Sequence, residues 1–273
     1  MKQNILSLCT MLQSRAQRTN LFVLCRDAAT SFMALVALSA LCGCSQQQLE
    51  PSGVMQHCAV ALSGTYDEIH ISNGIQVVVS DTVQQPYYVT DSTFAPYVVV
   101  RVNSGELEVR HSRDLGEVRN ITTTVFLPGD VFDLVDEITV CEASSLLSDA
   151  RYEGKELDLN IREHSSVQFL FGMTQGELSA ELCGGSLLNA SGIVTEAYCD
   201  LCHGSTLSSE FDGKRYGLEF VKAKIYLDDQ SHLQVHSNGV LKGGLKGESV
   251  LTYSGKPELK ITTQAGSQLS SNH

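Results

Sequence analysis

The sequence predicts an all-β protein: a right-handed parallel β-helix, or β-solenoid, with short strands and a less regular N-terminal cap. The first observation is a serine that recurs at intervals of 18 to 26 residues through the C-terminal half. The second is a Leu or Val two positions after every one of these serines. The third is a strict alternation of apolar and polar residues before each serine. The recurring serines are Ser144, Ser165, Ser186, Ser205, Ser231, Ser249 and Ser267.

The alternation before Ser165 illustrates one repeat unit. Leu157, Leu159 and Ile161 stand eight, six and four positions before this serine, and polar residues such as Asp158 stand between them. A period of two places alternate side chains on opposite faces of a β-strand. Each unit therefore contains a strand with one buried face.

Glycine-rich or polar triplets separate this strand from the serine, as in CGG before Ser186 and CHG before Ser205. Such triplets are typical of bends. A unit of about twenty residues cannot bury its own apolar face, so successive units are expected to stack with parallel strands about 4.8 Å apart. Crossover handedness favours a right-handed winding. A leucine-rich or helical repeat is the alternative at this period, but it does not explain the alternation.

The repeat extends weakly toward the N-terminus. In IHISNGIQV, residues 69–77, the two isoleucines before NG are spaced as in a strand, and Ile75 stands where the serine would. Residues 98–110, VVVRVNSGELEVR, predict a hairpin around NSG or a further irregular coil. The long interval between Ser205 and Ser231 predicts an extruded loop near residues 210–216.

The first 43 residues read as a targeting segment. A basic region is followed by the apolar stretch 28–41, which is shorter than the roughly 20 residues of a membrane span. The segment ends in LCGC, which resembles a bacterial lipobox and implies lipidation of Cys44. An ordinary signal peptide with a chance cysteine is the alternative, and translation starting at Met11 is a second open point.

The predicted domain organisation follows from this boundary. Residues 1–43 are a lipoprotein signal peptide, residues 44–60 a polar tether, and residues 61–273 a single β-solenoid domain. Ser45 is not aspartate, so the usual sorting rule points to the outer membrane, with the periplasmic or surface face left open. The formal charge of −12 disfavours nucleic acid and anionic lipid as partners.

The cysteines offer two kinds of chemistry. Cys199-Asp-Leu-Cys202-His203 has the spacing of a c-type haem attachment site, yet Cys199 also occupies an inward position of the repeat. Cys183 and Cys202 occupy the same position in adjacent units, so we expect a close thiol pair or a disulfide. Zinc at these three cysteines and His203 is disfavoured because Cys199 and Cys202 point to opposite faces. We therefore predict no metal and no cofactor.

Several segments together resemble a known family. They are YDEIHISNGIQVVVSD (66–81), VRVNSGELEVR (100–110), VFLP (125–128) and the repeated Gly-Ser-x-Leu units. They are similar to the family described as "putative auto-transporter adhesin, head GIN domain", found in exported proteins and lipoproteins of Gram-negative bacteria. The resemblance, over roughly residues 61–270, implies a right-handed β-helix-like fold similar to pectin lyases, no agreed catalytic residues and a role in cell adhesion. Ser165, Ser231 and Ser249 lack the preceding glycine, which puts a uniform corner geometry in doubt.

The surface residues predict binding rather than catalysis. Lys224, Lys242 and Lys260 occupy one outward position in successive units and form a candidate binding strip. We therefore predict a non-catalytic exported lipoprotein that acts as a binding or adhesion module at the cell envelope. Its partners are an unknown protein or glycan and, through Cys44, the membrane.

A carbohydrate-active β-helix enzyme is the first alternative. It would need paired carboxylates, or a cation site with a basic residue, in one groove, and the candidate pairs are Asp228 with Asp229 and Glu181 with Asp200. No His, Arg or Lys is expected to converge on these acids, and single histidines such as His111 are expected at the surface. A structural envelope protein without a soluble ligand is the second alternative.

Overall fold

The computed structural model describes residues 49–112, 115, 121–211, 214–215, 217–264 and 266–272. Two short 3-10 turns, Ala95–Tyr97 and Gly129–Phe132, interrupt an otherwise all-β fold, and the described residues contain no α-helix. Cys44 and the predicted signal segment lie outside the described residues. All strands except β14 and β15 join one hydrogen-bonded sheet of 19 strands.

The strands divide into an N-terminal and a C-terminal group. The first group is β1 (Met55–Ala59), β2 (Glu68–Ser72), β3 (Gln76–Ser80), β4 (Tyr87–Asp91), β5 (Val98–Asn103), β6 (Glu106–His111) and β7 (Thr123–Pro128). The second group is β8 (Glu137–Val140), β9 (Ser145–Tyr152), β10 (Glu156–Ile161), β11 (Ser166–Leu182), β12 (Leu187–Leu201), β13 (Thr206–Ser208), β14 (Glu210–Phe211), β15 (Lys214–Arg215), β16 (Leu218–Leu227), β17 (His232–His236), β18 (Val240–Leu245), β19 (Val250–Ser254), β20 (Glu258–Thr263) and β21 (Gln268–Ser271).

The repeat units form two parallel walls. The first wall runs β6, β2, β8, β10, β11, β12, β16, β18 and β20, using the C-terminal parts of β11 and β12. The second wall runs β7, β3, β9, β11, β12, β13, β17, β19 and β21, using the N-terminal parts of β11 and β12. Every neighbouring pair within these walls is parallel.

The register of the second wall follows the serine repeat. Leu188 is paired with Val167 on one side and Leu207 on the other, and Leu207 is paired in turn with Leu233. These side chains are at most 1% exposed. The aliphatic column predicted from the sequence therefore forms the buried face of the second wall.

A turn of one conformation joins the first wall to the second in each unit whose corner is fully described. Its two central residues lie in the left-handed region, as in Gly184–Gly185 and His203–Gly204. In most units the N–H of the following serine donates to the carbonyl three residues earlier, for example from Ser205 to Cys202. We call these turns the corners. Corners without glycine, such as Glu163–His164, adopt the same left-handed pair, so the doubt about uniform geometry was wrong.

The serines after the corners are buried from Ser144 to Ser249, as the sequence predicts, while the last one, Ser267, is partly exposed. Ser205 is 0% exposed, and its Oγ donates to the Cys202 carbonyl at 2.8 Å. The same Oγ accepts the Ser186 N–H at 3.2 Å. A small hydroxyl side chain thus fits the inner side of the corner and satisfies backbone groups there.

Antiparallel pairing distinguishes the N-terminal end. β5 and β6 form the predicted hairpin, and β4 pairs antiparallel with both β1 and β7. Strand β1, Met55–Ala59, falls within the predicted tether of residues 44–60. The sheet therefore begins earlier than the predicted domain boundary, because backbone pairing with Tyr87–Asp91 holds this segment.

Two further features differ from, or refine, the sequence prediction. Strands β11 and β12 span 17 and 15 residues and run from one corner to the next, with a register irregularity between Met173 and Glu177. The prediction of uniformly short strands was wrong here. The long interval after Ser205 contains a separate antiparallel ribbon, β14 with β15, at the place of the predicted loop.

Candidate binding groove

An open groove lies on the outer face of the first wall. Its volume is about 400 Å³, and strands β10, β11, β12, β16 and β18 contribute to it. We call it the outer groove. Its lining residues are Glu156, Asp158, Glu177, Leu178, Ser179, Glu196, Ala197, Tyr198, Lys222, Ala223, Lys224, Val240 and Lys242.

Alternation along the strands presents the polar groove residues. Ala197 and Cys199 are at most 7% exposed on the inner side of β12, so Tyr198 between them faces outward. The parallel register places Tyr198 between Ser179 and Lys224. One residue per unit therefore contributes to each row of the groove.

Two tyrosines and a lysine form a compact cluster in this face. The ring centroids of Tyr198 and Tyr226 are 6.0 Å apart. Lys224 Nζ lies 5.4 Å from the centroid of Tyr198 and 5.2 Å from that of Tyr226, within cation–π range. Burial first and the nearby Asp200 second raise the pKa of Tyr198. Both its apolar ring and a protonated phenol are thus available to a ligand at neutral pH.

Charge is divided along the groove. Glu156, Asp158 and Glu177 line one part, while Lys222, Lys224 and Lys242 line the other. Lys222 Nζ donates to Glu196 Oε1 at 2.7 Å. This hydrogen bond lowers the pKa of Glu196 and raises that of Lys222. A bound molecule would meet acceptors at one end and cationic donors at the other.

The predicted lysine strip forms one row. Lys224, Lys242 and Lys260 are paired in register across β16, β18 and β20. Lys224 and Lys242 also line the outer groove. Lys260 Nζ lies 3.0 Å from Glu258 Oε1. The strip is therefore continuous with the basic end of the groove.

The carboxylate pairs considered for catalysis lie elsewhere. Glu181 and Asp200 are paired across strands β11 and β12 of the first wall. Arg162 Nη2 lies 3.7 Å from Glu181 Oε2. Asp228 and Asp229 lie at a corner, where Asp228 Oδ1 accepts the Asp229 N–H. The expectation that no basic residue lies beside these pairs was wrong for Arg162, next to Glu181, and for His203, whose Nε2 lies 3.9 Å from Asp229 Oδ2.

The CDLCH segment is divided between interior and surface. Cys199 is fully buried between Ala180 and Ile225, and burial raises the pKa of its thiol to about 12. Cys202 lies at a corner with its sulfur in bonding contact with that of Cys183, and the Cα atoms are 4.9 Å apart. The two thiols of the haem motif therefore point in different directions, which does not fit thioether attachment to one haem.

Sequence reasoning missed the tyrosine cluster and the ion pair beside it. The signal was present: Tyr198 and Tyr226 occupy outward positions seven and five residues before the anchoring serines in consecutive units. Outward positions two residues apart along adjacent strands lie near one another. Glu196 and Lys222 both stand nine residues before the anchoring serine of their unit, and this pair could be read in the same way.

The chain belongs to the family described as "Putative auto-transporter adhesin, head GIN domain", whose model matches residues 65–257. No curated protein matches the sequence. Among the described residues, no helix has the length and apolarity needed to cross a membrane.

Solved structures share the fold at low sequence identity. A "putative adhesin" from Bacteroides fragilis NCTC 9343 has a TM-score of 0.66 and 11% identity, covering 81% of this chain and 99% of that one. Another from Parabacteroides merdae ATCC 43184 has a TM-score of 0.59 and 14% identity, covering 82% and 98%. A "putative lipid binding protein" from Parabacteroides distasonis ATCC 8503 has a TM-score of 0.57 and 14% identity, covering 82% and 98%.

Proposed function

We propose that this protein is a non-catalytic adhesion module of the cell envelope that binds a glycan in the outer groove. The observation that carries the proposal is the cluster in which Tyr198 and Lys224 line the groove and Tyr226 packs beside both of them. Rigid aromatic rings supply contact area at a low entropic cost, and aromatic and cationic side chains often dominate recognition. Membership of an adhesin family supports the binding role.

The groove chemistry suits a sugar better than a purely apolar ligand. The ring faces of Tyr198 and Tyr226 can pack against the C–H faces of a sugar ring. Carboxylates such as Glu177 accept hydrogen bonds from sugar hydroxyls, and lysines such as Lys242 donate to them. A protein ligand remains the alternative and is tested in the same experiment.

Lipid anchoring and domain layout form part of the proposal. Residues 1–43 act as a signal peptide, Cys44 carries the lipid at the outer membrane, and a tether shorter than first predicted leads to β1 at Met55. Mass spectrometry of the mature protein tests this. A Cys44→Ala variant should lose the lipid mass and leave the membrane fraction.

We also propose that the two walls are two faces of one right-handed β-solenoid, in which each repeat unit forms one turn. In each unit a corner carries the chain from the first wall to the second, and right-handed crossovers are strongly preferred between parallel strands. A crystal structure would test the handedness directly. A left-handed path through the corner before Ser205 would contradict this part of the proposal.

The decisive experiment screens the purified mature protein against immobilised glycans and matrix proteins. A glycan hit is then compared with a double variant, Tyr198→Ala with Tyr226→Ala, which should weaken binding at least about tenfold. Tyr97→Ala, which lies outside the outer groove, is the matched control. Glycan binding that survives in the double variant would reject the outer groove as the site. Hits confined to proteins would reject the glycan.

A carbohydrate-active enzyme is the second candidate, favoured by one observation. The groove places acids such as Glu177 and Glu156 in the same concave surface as Lys222. Such a mixture can supply a general acid and a general base. Incubation of each bound glycan with the protein, followed by mass analysis, distinguishes the two: cleavage that disappears in Glu177→Gln would favour the enzyme.

A further inference from the structure

Three potential metal ligands converge where two adjacent corners of the fold stack. The sulfur atoms of Cys183 and Cys202 and a ring nitrogen of His203 all lie within 4.8 Å of one another. Cys183 Sγ is 3.0 Å from His203 Nδ1. Cys199 takes no part, because its side chain is buried on the inner face of the wall. The converging set therefore differs from the four-residue set considered from the sequence.

The fold fixes this convergence. Cys183 and Cys202 hold the same position in consecutive units, and the parallel stacking brings their Cα atoms to 4.9 Å. His203 follows Cys202 directly and takes a left-handed conformation as the first central residue of its corner. Three ligands on two adjacent corners are thus positioned by backbone geometry.

The chemistry of the set is that of a thiophilic cation site. Thiolate and imidazole ligands suit zinc, and three protein ligands leave a fourth position for water or another ligand. Zinc holds sulfur at about 2.3 Å and nitrogen at about 2.0–2.1 Å. Atoms spread over less than 4.8 Å therefore need only side-chain rotations to surround one cation.

The surroundings are open and include a supporting carboxylate. His203 Nε2 lies 3.9 Å from Asp229 Oδ2 on the next corner. A metal-bound histidine usually directs its second nitrogen to a carboxylate or carbonyl, which orients the ring. A Cβ added at Gly204 would meet no atom within 4 Å, so space remains beside the set.

We propose that Cys183, Cys202 and His203 form a redox-gated binding site for one thiophilic divalent cation, represented by Zn²⁺. In the oxidised state the two sulfurs form a disulfide and do not bind the cation as thiolates. A dithiol reductant supplies two electrons and two protons, which break the S–S bond and give two thiols, while the dithiol becomes a disulfide. The cation then displaces one proton from each thiol and binds both sulfurs and His203 Nδ1.

The test uses the full chain and Co²⁺ as a spectroscopic probe. The protein is first reduced with a phosphine, which takes up one oxygen atom from water as the disulfide becomes two thiols. The phosphine is then removed under an inert atmosphere, so that the thiols stay reduced. The reduced chain should bind one Co²⁺ with thiolate-to-cobalt absorption and tetrahedral ligand-field bands, and Zn²⁺ should displace the Co²⁺. The unreduced chain should show no such bands and a mass lower by two hydrogens.

Variants assign the ligands. Cys183→Ser and Cys202→Ser should each abolish the thiolate bands, and His203→Ala should weaken Co²⁺ binding by more than about tenfold. Asp229→Asn should weaken binding by about tenfold while leaving the bands unchanged, since it acts on ring orientation. Cys141→Ser, at the same position of an earlier corner, is the matched control and should bind like the parent chain.

A second measurement avoids dependence on variant folding. Zn²⁺ should protect Cys183 and Cys202 of the reduced parent chain from alkylation, as read by peptide mass mapping, but leave Cys141 reactive. Absence of thiolate bands in the reduced parent, bands that persist in Cys183→Ser, or alkylation unaffected by Zn²⁺ would each overturn the proposal. Co²⁺ binding unchanged in His203→Ala would also overturn it.

Discussion

The buried imidazole of His111 lies 2.9 Å from Thr123 Oγ1, within a polar network enclosed by the N-terminal end of the fold. Its other nitrogen, Nδ1, lies 2.8 Å from the Asn73 carbonyl, so Nδ1 carries the proton and donates. Thr123 Oγ1 is in turn 2.7 Å from Thr90 Oγ1. These hydrogen bonds are compatible with a neutral imidazole. The expectation that His111 lies at the surface was wrong.

The first prediction concerns pH. Burial lowers the pKa of His111 below 6.5, only partly opposed by the Asn73 carbonyl. In the unfolded chain the imidazole protonates near pH 6.5, so the unfolded state binds more protons as the pH falls. The contribution of His111 to stability should be constant above this pH and fall below it by up to about 1.4 kcal/mol per pH unit.

Urea unfolding between pH 8 and pH 5 measures this effect. His111→Gln should lower the stability at pH 8 and remove most of the loss between pH 6.5 and pH 5. His232→Gln, which changes an exposed histidine, should retain the parent profile. A His111→Gln profile that falls as steeply as the parent would contradict the assignment.

The second prediction compares two buried serines. Ser205→Ala removes the Oγ that accepts the Ser186 N–H and donates to the Cys202 carbonyl. Leaving a buried N–H without a partner costs about 1–3 kcal/mol. Ser231 is equally buried, but among the described residues its Oγ has no hydrogen-bond partner. Ser231→Ala should therefore change the free energy of unfolding little. Equal losses in the two variants would refute the role given to the hydroxyl.

The third prediction concerns the aliphatic column. Leu207 is fully buried between Leu188 and Leu233. Leu207→Ala should lower the free energy of unfolding by about 2–5 kcal/mol, since it leaves a cavity that neighbouring strands cannot fill. Leu269→Ala, on the partly exposed terminal strand β21, should cost clearly less. Chemical denaturation of both variants measures the difference.

The fourth prediction concerns close backbone approach. Gly243 has φ +138°, and a Cβ there would lie 1.8 Å from the Ile225 carbonyl oxygen. Gly243→Ala should separate β16 from β18 and cost about 2–5 kcal/mol. Gly74→Ala provides the control, because its φ of +69° is also left-handed but its Cβ would meet no atom within 4 Å. The control should cost only about 1–2 kcal/mol.

The repeat was readable because burial imposes a local signature. Ser205 and Leu207 recur at fixed spacing in every unit, and period-two alternation identified which strand face is buried. The hairpin around Ser104–Gly105 was readable because a two-residue turn needs residues that tolerate positive φ. These features depend on residues that are close in sequence, such as a serine and the Leu or Val two positions after it.

Other features depend on long-range packing and could not be read. Strand β1 joins the sheet by pairing with β4, whose residues follow 28 to 36 positions later, and it has little apolar signal of its own. His111 is buried because β6 packs beside Asn73 and Thr123, which no spacing reveals. The outer groove was missed for a different reason: the sequence analysis followed the lysines at a single outward position, whereas the groove combines neighbouring outward positions across several strands.

The β14–β15 ribbon has a practical consequence. Seven residues more than in the preceding interval enter the unit after Ser205, yet Leu207 still pairs with Leu233 as though nothing were inserted. The additional residues form their own ribbon, and the pairing between β13 and β17 keeps its register. A peptide tag or fluorescent reporter grafted between Phe211 and Lys214 should therefore leave the core intact and give a genetically encoded label for following the protein in living cells.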